Sequence, residues 1–353
     1  MALAGLGSAP AGATDDTLFA QQWNLTQIGA PAAWAMSKGD GVVIGIVDTG
    51  IDASNPEFAG KIVAQANCTG GPCREGSAPD GNGHGTAVAG IAAALADNHI
   101  GIAGVAPDAQ LLVAKALGDD GVGTTVDINN AIRWVVDKGA KVVNLSLGDA
   151  DQVYVSLVGT ALQSGIEYAW SRGAIPVLAS GNYERGVTGG SFNYGDLDAV
   201  VVGATTPTGA VASYSTDLGN AKWGVLAPGG SGRGGAANDV LSPARGGRFV
   251  ALAGTSMATP HVSGTLALLL AEGLSPAAAV QRLIATADAR HVRADLAVAK
   301  PTPSTPTSAP TAPPTTPGSG SGINLVLVVA AVVAVLGLAG AGVGARVYVG
   351  RHR

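Results

Sequence analysis

At 353 residues, the chain is long enough for one large α/β domain with appendages. Hydrophobic residues make up 47% and charged residues 13%, with 53 glycines, a balance that suits tightly turned α/β structure and argues against disorder and coiled coil. Residues 1–300 hold 17 Lys/Arg against 25 Asp/Glu, while the remainder carries only Arg346, Arg351 and Arg353; this argues against nucleic acid as a partner and marks a basic C-terminal tip.

Residues 1–13 are apolar and rich in small side chains but lack the basic start and long apolar core of an export signal, so they read as a clipped or minimal leader cleaved near Ala11 to Ala13. From about residue 20 to 300, short β-branched runs alternate with helical patterns. Val42–Val47, Val142–Leu147, Ile175–Ala179, Val200–Gly203 and Trp223–Ala227 read as buried strands. Helices are expected from His84, Val126, Leu157, Ser256 and Ser275, the last with Ser275 as N-cap and Pro276 in the first turn. Such alternation predicts an α/β fold of three layers, a mostly parallel sheet between helices.

Cys68 and Cys73 bracket Thr-Gly-Gly-Pro with neither His nor further Cys nearby, which argues against zinc. A small disulfide is expected if the domain is extracellular, and two unpaired loop cysteines otherwise.

Beyond the globular part, Pro301–Pro317 holds seven prolines among Thr, Ser and Ala, and residues 301–322 read as an extended stalk. Ile323–Val343 is a charge-free apolar run close to the roughly 20 residues that a helix needs to cross a bilayer. Arg346, Arg351, His352 and Arg353 follow without an acidic residue, so residues 344–353 read as a short cytoplasmic tail and everything before the membrane as outward-facing.

Three segments carry chemistry. Ile44-Gly-Ile-Val-Asp-Thr-Gly delivers Asp48 at the end of a buried strand, where open α/β sheets place their sites. Asn82-Gly-His-Gly-Thr puts His84 between glycines at the mouth of a small-residue helix. In Gly254-Thr-Ser-Met-Ala-Thr-Pro-His, Ser256 sits where a helix begins, beside free backbone N–H groups and the positive helix end.

With Asn-Leu-Ser-Leu-Gly from Asn144 and Ala-Ser-Gly-Asn ending at Asn182, these motifs resemble the subtilases, nearest in pattern to the thermitase branch, over roughly residues 16–299. The resemblance implies a serine endopeptidase with Asp48, His84 and Ser256 as triad and Asn182 as oxyanion donor. It further implies that Ser146, Leu147 and Gly148 pair with an extended substrate backbone, and that Ala179, Ser180 and Gly181 wall the pocket for the side chain before the scissile bond. A calcium ion is implied between Asp16 (or Asp15), Glu57, Asn98 and the carbonyls of Ala96, Ile100 and Ile102. Protein or peptide substrates and the cell membrane are then the expected partners.

The chain departs from the family pattern in Ala87, which replaces a usual His, in Glu57, which replaces a usual Asp at the calcium site, and in Phe192-Asn193, where an aromatic-Pro pair is usual. Residues 1–13 read as too short for the inhibitory prodomain common in the family, so either activation is controlled differently or the gene start is misplaced. Mycosins of type VII secretion share the Pro-rich stretch and C-terminal helix but typically carry more cysteines, so secretion-system partners stay a subfamily alternative. His261 is expected to be structural, and His99 and His291 to lie at the surface. An esterase with a nucleophile elbow is disfavoured because position 258 is Ala.

Overall fold

Val43–Asp48 (β1) forms the centre of the fold because Val43, Ile44, Ile46 and Val47 are apolar on both faces of the strand, as a strand covered on two sides requires. The structure, a computed structural model, describes residues 14–149, 155–182, 194–299 and 346–348. The helices Trp23–Ile28 (α1) and Ala30–Ala33 (α2) precede β1. After it come Ile62–Asn67 (β2), Arg74–Glu75 (β3), His84–Ala93 (α3), Gln110–Lys115 (β4), Val122–Thr124 (β5) and Thr125–Asp137 (α4). The second half adds Val142–Leu145 (β6), Gly148–Asp149 (β7), Val155–Ser171 (α5), Ile175–Ala179 (β8), Val200–Thr205 (β9) and Trp223–Pro228 (β10). Val240–Ala244 (β11) and Arg248–Leu252 (β12) form a hairpin ahead of Thr255–Ala271 (α6), Pro276–Thr286 (α7) and Ala294–Val298 (α8).

The main sheet runs β10-β9-β8-β6-β1-β4-β2-β3, parallel except for the β2–β3 pair. The chain leaves β1 towards β4 on one side and β6 on the other, so β1 is the switch point outside whose C-terminal end a ligand crevice forms. One face of the sheet buries Ile128, Ile132 and Val135 of α4 with Leu162 and Ile166 of α5. The other buries Val88, Ile91 and Ala92 of α3 and Val262, Leu266 and Leu269 of α6. The expected three-layer α/β architecture is therefore present.

Element ends differ from the sequence reading in instructive ways. β6 stops at Leu145 because Ser146 is committed to α6, and Gly148–Asp149 pairs separately as β7. α4 starts at Thr125, since the Thr124 hydroxyl accepts from Asp127 N and caps it. The Ser275 cap and Pro276 are as expected, with the Ser275 side chain accepting from Ala278 N.

Cys68 and Cys73 are joined in a disulfide beside the β2–β3 pair. Arg346–Tyr348 (β13) pairs antiparallel with both β5 and β7. The possible leader, the stalk and the apolar run 323–343 lie outside the described residues, as does Phe192-Asn193. Among the described residues, no helix is long and apolar enough to cross a membrane.

Candidate active site

Asp48 is the last residue of β1 and is fully buried. Its Oδ1 accepts from Thr49 N at 2.7 Å and meets His84 Nδ1 at 2.8 Å. His84 is the first residue of α3, with Gly83 before it in the left-handed region at φ 108°. Gly85 is required for close approach, because a Cβ there would lie 2.2 Å from Gly50 O. The imidazole thus reaches the buried carboxylate while its side chain stays 9% exposed to the cleft.

Asp80 fixes the start of α3. Its Oδ1 accepts from Thr49 Oγ1 (2.8 Å), Asn82 N (3.0 Å) and Gly83 N (2.7 Å), and its Oδ2 accepts from Thr86 N and Thr86 Oγ1. Burial alone pushes this carboxyl upward, but the hydrogen bonds outweigh burial and hold it below its ordinary range. Thr49 Oγ1 in turn accepts from Gly85 N at 2.9 Å. One buried carboxylate therefore ties the strand that carries Asp48 to the helix that carries His84.

Ser256 is the second residue of α6, after Gly254 at φ 151° and ψ 160°. Its Oγ donates to Ser146 O at 3.2 Å, and Ser146 Oγ donates back to Ser256 O at 2.8 Å. Asn144 Nδ2 donates to Ser146 Oγ, and Ser263 Oγ donates to Asn144 Oδ1 at 2.7 Å, so a buried polar chain locks the end of β6 to α6. Ser256, His84 and Asn182 line one cavity of about 430 Å³. A catalytic Ser–His bond is commonly loose without substrate and tightens in the complex.

Asn182 follows β8. Its Oδ1 accepts from Thr255 N at 2.8 Å and Thr255 Oγ1 at 2.9 Å, which leaves the amide nitrogen as the donor above Gly254, where a Cβ would come within 3.3 Å of it. Thr255 Oγ1 also accepts from Gly181 N at 3.2 Å. The sequence reading missed Thr49, Asp80 and Thr255; an acidic residue just ahead of a helix start was the one signal for Asp80.

The substrate-side residues are brought together at the same sheet edge. Leu147 is 1% exposed and so offers backbone rather than side chain, while Gly148 pairs with Tyr348. Ala179 and Ser180 are buried, and Ser180 O accepts from Tyr194 Oη at 3.0 Å. Ala87 is buried in α3, behind the site. His261 is fully buried between Met257 O and Asn24 Nδ2; burial pushes it down to about 4, and it stays neutral. His99 pairs with Asp15 at the surface, and His291 meets Asp288 O and Gly209 O.

Both acids reach the loop expected to hold calcium: Asp16 accepts from Asp97 N at 3.2 Å and Asn98 N at 3.1 Å and is buried, while Asp15 accepts from His99 N at 3.0 Å on the exposed side. Glu57 accepts from Ile102 N at 2.9 Å and from Asn98 Nδ2 at 3.1 Å. Burial raises the Glu57 carboxyl to about 7, and the nearby charge of Asp16 adds to the rise. Two buried carboxylates that, among the described residues, make no ion pair fit a hard cation once Asn98, whose Oδ1 accepts from Ile100 N at 2.9 Å, turns an oxygen towards them. Among the described residues, no group of three or more His, Cys, Asp or Glu forms a metal cage.

A buried Asp, a His and a Ser on the crevice edge of a parallel sheet, with an anchored Asn opposite, define a serine hydrolase of the subtilisin type. The chain belongs to the subtilase family, whose Peptidase_S8 model matches residues 39–313. It is 36% identical over 261 residues to thermitase of Thermoactinomyces vulgaris, covering 74% of this chain and 86% of that protein. It is 38% identical over 248 residues to subtilisin BL of Lederbergia lenta, covering 70% and 83%. Among solved structures, proteases from Pseudoalteromonas arctica superpose with a TM-score of 0.67 at 26% identity, covering 81% of this chain and 98% of that one. The nisin leader peptidase of Lactococcus lactis shares the fold at a TM-score of 0.65 and 22% identity, covering 79% and 94%. The enzyme is a subtilisin-like serine protease.

Proposed function

We propose that this protease cleaves internal bonds of extended protein segments at the outer face of a membrane, through an acyl-enzyme formed on Ser256. The observation that carries the chemistry is the 2.8 Å Asp48–His84 pair opening onto the cavity that Ser256 and Asn182 also line. His84 takes the Ser256 proton as Oγ attacks the carbonyl and returns it to the leaving amine. Asp48 holds the ring's orientation and offsets the imidazolium charge. Ser256 N and Asn182 Nδ2 receive the oxyanion.

Strand pairing supports the choice of an extended substrate, because β5 and β7 leave between them a slot that accepts β13 as a middle antiparallel strand. The disulfide and the apolar run 323–343 support an outward-facing, anchored enzyme. The pairing of Arg346–Tyr348 with β5 and β7 and a tail across the bilayer are alternatives, and a C-terminal tag separates them. Calcium, when bound, would supply positive charge between Asp16 and Glu57 and tie the N-terminal segment to the Asn98 loop, remote from the chemistry.

The test is fluorophosphonate labelling of the full chain in detergent with calcium. Wild type should be labelled and Ser256→Ala should not. Folded wild type that labels no better than Ser256→Ala would refute the enzyme mechanism.

A further inference from the structure

The cavity of about 430 Å³ beside Ser256 is lined by Asn82, Gly83 and His84 on one side and by the β11–β12 hairpin on the other, and no residue of β5 or β7 borders it. The β5/β7 slot is where the acyl half of a peptide pairs on the reading above. The cavity therefore lies across the nucleophile, on the side where His84 protonates the leaving amine, and receives the residues that follow the scissile bond.

The chemistry of that side is uneven. Side chains alternate along a strand, so Leu252, Val250 and Arg248 share one face of β12. Phe249, on the other face, packs with Ile102 and Leu241 and over Gly101. Leu252 is half-buried near Met257, Val250 is 37% exposed, and Arg248 is exposed. Arg245 in the hairpin turn also borders the cavity, but it donates to Gly81 O and sits close enough to Asp52 to favour that carboxylate's charged form. Arg248 makes only a 3.3 Å hydrogen bond to Arg245 O, and among the described residues no carboxylate pairs with it. Among the described residues, no acidic side chain lines the cavity. In a chain with a net charge of −5, a cleft wall with two arginines and, among the described residues, no acid is a local reversal of sign.

We infer that the leaving-group side of the cleft selects substrates with an apolar residue next to the scissile bond followed by a carboxylate, read by Arg248 with help from Arg245. Geometry sets the position. Four residues of strand separate Leu252 from Arg248, about 13 Å, and an extended peptide advances about 3.3 Å per residue. The carboxylate therefore belongs roughly four residues beyond the apolar one, at the fifth residue after the cut or, within the reach of the arginine side chain, the fourth. Arg provides the fork that grips a carboxylate through two hydrogen bonds. The inference rests on the protease reading and adds a specificity to it.

The experiment compares internally quenched peptides that share one acyl half and carry Glu, Gln or Lys at the fourth or fifth residue after the scissile bond. Wild type should cleave the Glu peptide with a kcat/KM about threefold to tenfold above the Lys peptide, as partly exposed ion pairs allow. At about 1 M salt, where the screening length is about 3 Å, the ratio should fall towards one. Arg248→Gln should reduce the ratio and Arg248→Glu should invert it; taking the ratio within each variant cancels any general loss of activity. A wild-type ratio of one, or a bias untouched by both variants, overturns the inference and leaves the protease reading intact. Cleavage of no peptide at all overturns both.

Discussion

Asn182 offers the sharpest test of how the site is built, because one end of its amide is anchored and the other is left for catalysis. Oδ1 accepts from both Thr255 N and Thr255 Oγ1. Asn182→Ala removes an oxyanion donor and should lower kcat by about 10²–10³, the equivalent of about 2.7–4 kcal/mol, with KM changed less than about twofold. Thr255→Val removes one of the two anchors and leaves Thr255 N in place. A neutral hydrogen bond contributes about 0.5–1.5 kcal/mol, so kcat should fall about threefold to tenfold through looser placement of the amide. It also strips Gly181 N of its partner, so stability should drop by about 1–3 kcal/mol whatever happens to catalysis. The double variant separates the two roles. If Thr255 acts on turnover through Asn182, adding Thr255→Val to Asn182→Ala should cost no further kcat. Steady-state kinetics on a chromogenic peptide and urea unfolding give both axes. A kcat for Asn182→Ala within about threefold of wild type would refute the oxyanion assignment, and multiplicative losses in the double variant would refute the coupling.

Two further outcomes follow from the loop and the tail. Glu57 is held at about 7 in the folded chain against an ordinary 4.5, so in chelator the folded state binds the extra proton and stability should fall as pH rises from 4.5 through 7. Calcium should cancel that fall, and Glu57→Gln should abolish both the slope and the calcium response; thermal unfolding across this window checks it, and a slope retained in the variant would refute it. A C-terminal tag on intact cells should resist added protease if residues 344–353 lie across the bilayer, and its digestion would leave the tail on the cleft side, where Arg346–Tyr348 pairs with β5 and β7.

Of the strands in the middle of the sheet, β1, β6, β8 and β9 were legible in the sequence, whereas β4 was not, although every residue of Gln110–Lys115 but the first is buried. Apart from Asn144 in β6 and Thr205 at the end of β9, the strands β6, β8 and β9 are apolar along their length because helices cover both faces of the sheet. β2 was missed for the opposite reason: Ile62–Asn67 lies near the sheet edge, mixes Gln and Asn with small residues, and is mostly part-exposed. The β11–β12 hairpin was also missed. Pro243 within one strand and Arg245-Gly-Gly between the strands read as loop, and the pair is held by its antiparallel register and by packing on α3.

The residues proposed for catalysis stand out in the sequence for a reason that does not extend to specificity. Each sits where a strand ends or a helix starts, and the geometry there dictates its neighbours: Gly85 because Gly50 O approaches it, Gly254 because of its backbone angles and the amide above it. Such constraints are local and leave short motifs. What surrounds them is assembled from far along the chain, as when Asp80 joins Thr49 to Thr86, or when Phe249 closes over Gly101 and turns Arg248 to the cleft. An arginine in a Gly-rich turn carries no sign of this in its own neighbourhood, because its role depends on a wall formed by residues 82–84. The reaction is thus encoded in contiguous residues and substrate choice in the packing between them, so specificity in this fold is open to change at positions such as Arg248 while Asp48, His84 and Ser256 stay fixed.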